Sequence, residues 1–227
     1  MKTKTLIGLF VALSLCPVLY ATPNQELATE IREVIQQQLH RYTFEDLVDA
    51  IYAKDTREIK KILASGQVDV NAENWNHQTL LNMASDIGNY KIAKLLIKYG
   101  ADVNFRRPLK HAIIANHKEV AELLIEKGAE IEYDYMFNAI DAESADIVEL
   151  LLEKADKDMV REWLNHTDMS GKRSLLLSMA IYDHNCDTEV AKVLIEHGVN
   201  TTDALAMATA NSCSKIAKIL IKHGPNK

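Results

Sequence analysis

Asn74-Trp75-Asn76-His77-Gln78-Thr79-Leu80-Leu81-Asn82-Met83-Ala84-Ser85-Asp86-Ile87-Gly88-Asn89-Tyr90-Lys91-Ile92-Ala93-Lys94-Leu95-Leu96-Ile97-Lys98-Tyr99-Gly100 is the stretch that decides the fold. It reads as a short helix centred on Ala84, a tight turn at Gly88, and a longer helix whose apolar side chains Ile92, Leu95 and Leu96 recur at helical spacing. Gly100 closes it, because glycine enters the left-handed conformation that ends a helix without steric cost. A small residue at the centre of the first helix lets neighbouring backbones approach closely.

The closing phrase recurs along the chain. Ile62-Leu63-Ala64-Ser65-Gly66, Leu96 to Gly100, Leu124-Ile125-Glu126-Lys127-Gly128, Leu194-Ile195-Glu196-His197-Gly198 and Leu220-Ile221-Lys222-His223-Gly224 are five copies, and Leu151-Leu152-Glu153-Lys154-Ala155 is a sixth with Ala for Gly. A second landmark lies upstream of each. Seven residues after Ala50, Ala84, Ala112, Ala139 and Ala208 stand Arg57, Lys91, Glu119, Asp146 and Lys215, each near the start of the second helix; from Ala180 to Glu189 the interval is two residues longer. Internal repeats of this period signal a solenoid, in which a hairpin too small to fold alone buries its apolar stripe on its neighbours. In the third copy Ile114, Val120, Leu123 and Leu124 are expected to face inward.

The pattern resembles the ankyrin repeat over about residues 43–227. Asn74 to Thr79 stands where that family has its Asp-x-x-Gly-x-Thr turn, Leu81 at the core leucine, and Gly100-Ala101-Asp102-Val103-Asn104 at its repeat ending. Val68-Asp69-Val70-Asn71-Ala72, Pro108-Leu109 and Gly128-Ala129-Glu130-Ile131 match as well. The resemblance implies an all-α ankyrin-repeat solenoid of about six helix-turn-helix repeats that binds another protein.

The chain also departs from the family. Its Thr-Pro-Leu-His tetrapeptide is nearest at Thr79-Leu80-Leu81-Asn82 but nowhere complete. Gly66 to Gly100 spans 34 residues and Gly100 to Gly128 only 28, so the third, fourth and sixth copies lack most of the β-turn finger. Ala155 to Gly198 spans 43 residues and holds an extra segment, Lys157 to Asn165, read as an inserted short helix with Met159, Val160, Trp163 and Leu164 apolar.

Composition agrees with a helical chain: 48% hydrophobic residues, with 8 Gly and 4 Pro in 227 residues. A net charge of −6 argues against a nucleic-acid partner, which needs clustered positive charge.

Residues 1–21 have the layout of a secretory signal peptide: Lys2 and Lys4, an apolar run from Leu6 to Leu19, and Tyr20-Ala21 at the cleavage point. The run is too short for a permanent membrane helix. Leu13-Ser14-Leu15-Cys16 is a weak lipobox match, with bulky Leu15 where a small residue belongs. Cleavage leaves a chain of net charge −8 with no membrane attachment, periplasmic or secreted. Residues 22–42 follow as an N-terminal capping helix over the first repeat, opened by Thr22-Pro23-Asn24-Gln25 with Leu27, Ile31, Val34, Ile35, Leu39 and Tyr42 at helical spacing; a free amphipathic helix for a partner is the competing reading. Residues 43–227 form the repeat domain.

No nucleophile elbow, P-loop or dinucleotide fingerprint appears, so no enzyme and no cofactor is expected. Gly171-Lys172-Arg173-Ser174 falls at a repeat turn and lacks the strand and upstream glycine of a phosphate loop. His77, His111, His117, His166, His184, His197 and His223 lie in different repeats without zinc spacing, so no metal is expected. Cys186 and Cys213 fall in the inter-helix turns of adjacent repeats, and the two-residue insertion near Cys186 brings them within disulfide reach in an oxidising compartment. Asn165-His166-Thr167 and Asn200-Thr201-Thr202 match the glycosylation sequon, which matters only in a eukaryotic host.

For partner binding the candidates are Trp75, at the only well-formed finger; Phe105, Arg106 and Arg107 with Tyr133 and Tyr135, in successive inter-repeat loops that should be neighbours; and Tyr182 and Asp183 on the fifth first-helix. Tyr, Trp and Arg are the usual anchors of interfaces. Packing in short loops is the competing reading for Phe105, Tyr133 and Tyr135, and a core position for Trp163. The function expected is an exported, monomeric module that binds a partner protein as inhibitor, immunity or accessory protein, with a secreted effector that engages a host protein as the alternative.

Overall fold

The computed structural model describes residues 41–167, 171, 174–182 and 186–224. The signal segment and the capping helix up to His40 lie outside them, as do Asp183 and His184. Among the described residues are thirteen helices and two isolated β-bridges, Glu73 with Thr79 and Thr167 with Ser174.

Twelve helices form six hairpins: α1 (Phe44–Tyr52) with α2 (Thr56–Ser65), α3 (Leu80–Asp86) with α4 (Tyr90–Lys98), α5 (Pro108–Ile114) with α6 (Lys118–Glu126), α7 (Tyr135–Asp141) with α8 (Ala145–Lys154), α10 (Leu175–Tyr182) with α11 (Thr188–Glu196), and α12 (Ala204–Ala210) with α13 (Ser214–His223). First helices pack on first helices, from α1 through to α12, and second helices on second helices, from α2 through to α13. The remaining helix, α9 (Lys157–Asn165), is the expected insertion, and it leaves the stack continuous: α7 contacts α10, and α8 contacts α11.

The alanines set the register. Ala50, Ala84, Ala112, Ala139, Ala180 and Ala208 are all buried. In each hairpin the carbonyl of this alanine accepts a bond across the inter-helix turn, from the N–H of Asp55, Asn89, His117, Ser144, Asp187 or Cys213, at 2.8–3.0 Å. The preceding residue has positive φ every time: Lys54, Gly88, Asn116, Glu143, Cys186 and Ser212. Only one of the six is glycine, although L side chains are disfavoured there by about 1–2 kcal/mol. The longer turn before Asp187 keeps the same bond.

The donor residue of that bond then caps the second helix. Asp55, Asn89, Ser144 and Asp187 accept backbone N–H bonds of the first turn through their side chains, each worth about 1 kcal/mol. His117 and Cys213 make no such cap, because their side chains reach the preceding hairpin instead.

A repeated asparagine links successive hairpin ends. Asn71 donates to the Gly100 carbonyl and accepts from the Asp102 N–H, and Asn104 does the same to Gly128 and Glu130. The series stops at the next equivalent position, which is Glu132.

Three expectations need correction. Val120, Leu123 and Leu124 are buried, but Ile114 is 57% exposed. Its neighbour Ile113 takes the inward place, one residue after Ala112, as Ile51, Ile140 and Ile181 do after their alanines. The Glu73–Thr79 finger is not alone, since Thr167 pairs with Ser174 at the equivalent place, with Gly171 at φ +69° between them. Tyr42 is buried against the first hairpin, its N–H donating to Gln67 Oε1 at 2.9 Å, but it precedes the Thr43 cap and is not helical.

Candidate functional site

The finger before α3 is built by Asn74. Its side-chain oxygen accepts from the N–H of Asn76 and of Gln78, both at 2.9 Å, folding the turn on itself. His77 occupies the position the family fills with glycine and takes φ +59°. Trp75 sits at the tip, 86% exposed. The base is pinned by Glu73, which meets His77 Nδ1 at 3.0 Å and Arg106 Nη2 at 2.9 Å. The Arg106 guanidinium in particular holds the Glu73 carboxyl below its ordinary range.

The next loop is tighter. Arg106 and Arg107 both have positive φ, and buried Asn82 holds the strained pair by donating to the Arg106 carbonyl at 2.8 Å. Phe105 lies partly exposed with the Arg106 guanidinium 5.4 Å from its ring centre. Arg107 turns toward the following loop. It bonds both carboxylate oxygens of Glu132, reaches Asp134 Oδ1 at 3.2 Å, and stands 5.5 Å from the Tyr135 ring centre. Lys110 adds a second cation on Asp134 at 3.0 Å. Partial burial raises the Asp134 pKa, but the bonds from Lys110 and Arg107 outweigh it, and the carboxyl stays below its usual range.

The two loops are therefore neighbours as expected, but their members divide. Tyr135 is 1% exposed and its hydroxyl donates to Glu132 at 3.0 Å, so it is a packed core residue and not a partner contact; burial pushes its phenol pKa up. Tyr133 is half-buried in an aromatic cluster, 5.7 Å from Phe137 and 6.3 Å from Trp163 between ring centres, with its hydroxyl hydrogen-bonded to His166 Nδ1 at 3.0 Å. Trp163 is fully buried and donates Nε1–H to the Tyr133 carbonyl, docking the inserted α9 onto the fourth hairpin. Both tyrosines thus make packing contacts within the stack, Tyr135 fully and Tyr133 with part of its surface still open.

The first helices present a surface that the sequence reading passed over except at one end. Two residues beyond each packing alanine stand Tyr52, Asp86, Ile114, Asp141, Tyr182 and Ala210, and all six are exposed. Tyr52, Ile114 and Tyr182 are the large apolar members, 63%, 57% and 47% exposed. Asp86 accepts from His111 Nδ1 at 2.8 Å while its backbone carbonyl accepts from His117 Nε2 at 3.0 Å. Counting two from each alanine would have found the row. Asp183, the other residue expected beside Tyr182, lies outside the described residues.

A small open hollow at the first hairpin, about 280 Å³, is lined by Asp46, Asp49, Asp55 and Glu58 with Ala50 and Ile62. It falls just below the ~300–1,000 Å³ of pockets that enclose small ligands. Among the described residues no group of three or more metal-ligating side chains occurs, and no helix is long and apolar enough to cross a membrane.

Stacked hairpins with alanine-centred first helices, glycine-closed second helices and β-turn fingers define an ankyrin-repeat solenoid, a fold that generally mediates protein–protein interaction. The chain carries these repeats in sequence as well as in fold: residues 47–135 match the family model for ankyrin repeats, three copies. An ankyrin repeat protein of Rickettsia felis is 28% identical over 160 residues, 66% of this chain and 37% of that protein. The E3 ubiquitin-protein ligase Ufd4 of Drosophila melanogaster is 34% identical over 90 residues, 38% of this chain and 3% of its own length. The chain thus spans a minor part of either curated relative. In structure it is similar to the human ASB11 ankyrin repeat domain (TM-score 0.61, 23% identity, 79% of this chain and 84% of that one) and to the ankyrin repeat protein EF0377 (TM-score 0.62, 24% identity, 81% and 100%).

Proposed function

We propose that this chain is an exported, monomeric, non-catalytic adaptor that docks one partner protein along its fingers and first-helix row, as inhibitor, immunity or accessory protein of an envelope or secreted protein. The observation that carries the reading is the exposure of Trp75, Tyr52, Ile114 and Tyr182 on one stacked framework whose loops are tied together by Asn74, Asn82 and the Glu73–Arg106 pair. Pre-set apolar anchors of this kind bind with little ordering cost. Arg107 and Tyr135 support the face from beneath, and Phe105 and Arg106 form its edge near Trp75.

The signal-peptide layout supports export, and the disulfide between Cys186 and Cys213 suits an oxidising compartment. The test is cross-linking of the chain without residues 1–21 to its partner, with Trp75→Ala and Ile114→Lys as probes. Both variants should lose the cross-linked species while melting like the parent. Undiminished cross-linking by both would refute the face. A partner found in a host lysate, and none in the envelope, would favour the effector reading.

A further inference from the structure

The second helices carry a charge order that the docking face does not use. Seven, ten and fourteen residues after the packing alanine stand Lys91, Lys94 and Lys98 in α4, but Glu119, Glu122 and Glu126 in α6. At the same places α2 has Arg57, Lys60 and Ala64, and α8 has Asp146, Glu149 and Glu153. Glu122 is half-buried and the others are exposed. Four helices, each in contact with the next, therefore read cationic, cationic, anionic, anionic.

These charges are not neutralised within the stack. Among the described residues the only ion pair between second helices joins Lys118 to Asp146 at 3.4 Å, and Lys94 lies over the Tyr90 ring of its own helix. The lysines of α4 and the glutamates of α6 make no pair with one another, although their helices touch.

The order is complementary to itself. A two-fold axis parallel to the helices, between α4 and α6, presents a second copy with its helices in reverse order and the same direction. Then α4 faces α6 of the second copy, with Lys91, Lys94 and Lys98 level with Glu119, Glu122 and Glu126. Likewise α2 faces α8, with Arg57 and Lys60 level with Asp146 and Glu149. Symmetry makes each contact twice. Moving the axis one hairpin either way sets cation on cation or acid on acid, and an axis across the helices sets each helix on its own counterpart. Like charges brought together in this way suppress those alternatives.

We infer that the face formed by α2, α4, α6 and α8 pairs with the same face of a second copy of this chain. It lies on the layer opposite the first-helix row, so the pairing does not rest on the docking-face reading and leaves that face open. Four helices about 8–10 Å apart and about 14 Å long give a contact on the order of 500 Å² per copy, at the small, transient end of protein interfaces. The dilute chain is thus monomeric, as above, and the pair forms where copies are concentrated. At an ionic strength of about 0.1 M the Debye length is ~10 Å. Charges meeting across the face lie inside that length, whereas most of the net negative charge of the two copies lies beyond it.

Sedimentation velocity of the chain without residues 1–21, at about 0.3 mM, reads the pairing. A dimer is expected at about 0.1 M salt, with a Kd that rises at least about tenfold at about 0.5 M. Two variants test the contact: Lys91→Glu, Lys94→Glu and Lys98→Glu together, and Glu119→Lys, Glu122→Lys and Glu126→Lys together. Each alone should be monomeric at the lower salt, because α4 then meets α6 of the second copy with like charge. An equal mixture of the two should dimerise again, since lysine meets glutamate at both contacts, a recovery that loss of structure cannot produce. All six substitutions in one chain keep the parent's net charge and should also pair. A parent that stays monomeric at the lower salt, a variant that dimerises alone as the parent does, or a mixture that stays monomeric overturns the inference.

Discussion

Ser144 donates its hydroxyl to Asn116 Oδ1 at 2.6 Å, tying the cap of one second helix to the inter-helix turn of the hairpin before it. The same two places are occupied by Cys213 and Cys186 one end further along, where the link is a disulfide with 5.4 Å between Cα atoms. At the second and third hairpins His117 fills the role, bonded to the Asp86 carbonyl and packed over Gly88. The covalent version lies at the last junction of the described stack. There Leu205 and Ile221 are exposed, whereas their equivalents Leu177 and Ile195 are buried by a following hairpin. A terminal hairpin with one apolar side uncovered is the one most prone to fray.

Breaking that bond should loosen the last hairpin first. A cross-link closing a loop of this length, 27 residues apart in sequence, stabilises by about 3.5 kcal/mol in the chain-entropy view. Cys186→Ser with Cys213→Ser is expected to lower Tm and to remove amide-exchange protection in α12 and α13 before the other helices. Uniform loss of protection across all six hairpins would contradict this.

The positive-φ turn residues give a stabilising prediction. Lys54→Gly and Glu143→Gly should each raise stability by about 0.5–1 kcal/mol in chemical denaturation, because the left-handed backbone no longer carries a side chain. Gly88→Ala should do the reverse and by more. A Cβ there would lie 2.4 Å from His117 Nδ1 in addition to the φ of +69°.

Register is testable at two adjacent isoleucines. Ile113→Ala should cost about 2–5 kcal/mol, while Ile114→Ala should stay within about 0.5 kcal/mol of the parent. Ala112→Leu should cost about 1–3 kcal/mol by overpacking the contact between first helices. Thermal melts of the three variants decide it, and equal losses at Ile113 and Ile114 would shift the assigned face.

Acid should weaken the loop network. The Glu73 and Asp134 carboxyls titrate below their ordinary range, so they bind protons less readily folded than unfolded. Their contribution is complete above the unfolded carboxylate pKa, about 4, and is lost as pH falls from there through the lower folded values. Asp134→Asn should flatten that part of the stability–pH curve and leave the curve above pH 6 parallel to the parent. An unchanged acid limb would show that the ion pairs with Arg107 and Lys110 contribute nothing.

Hairpin count, the inserted α9, the turn cysteines and the adjacency of the 105–107 and 133–135 loops were legible in the sequence, because each follows from a spacing counted between alanines and terminal glycines. The outward turn of Ile114 was not. Ile113 and Ile114 are chemically identical, and only the packing of α5 against α3 and α7 tells them apart. Tyr135 misled for a related reason: aromatic type marks interface anchors and core residues alike, and its place at the first position of α7 put the ring inside. The turn at Gly171-Lys172-Arg173-Ser174 was legible too, but not the pairing of Thr167 with Ser174, because these residues lack the Asn-x-x-x-x-Thr spacing that marks the first finger.

The docking face is tested most directly by a benzophenone side chain placed at position 114, compared with one at the also exposed second-helix position 94, each in the chain without residues 1–21 and irradiated with its partner present. Covalent capture of the partner from position 114 and none from position 94 is the expected result. Capture from 94 alone would place the partner on the opposite layer of the stack and contradict the account.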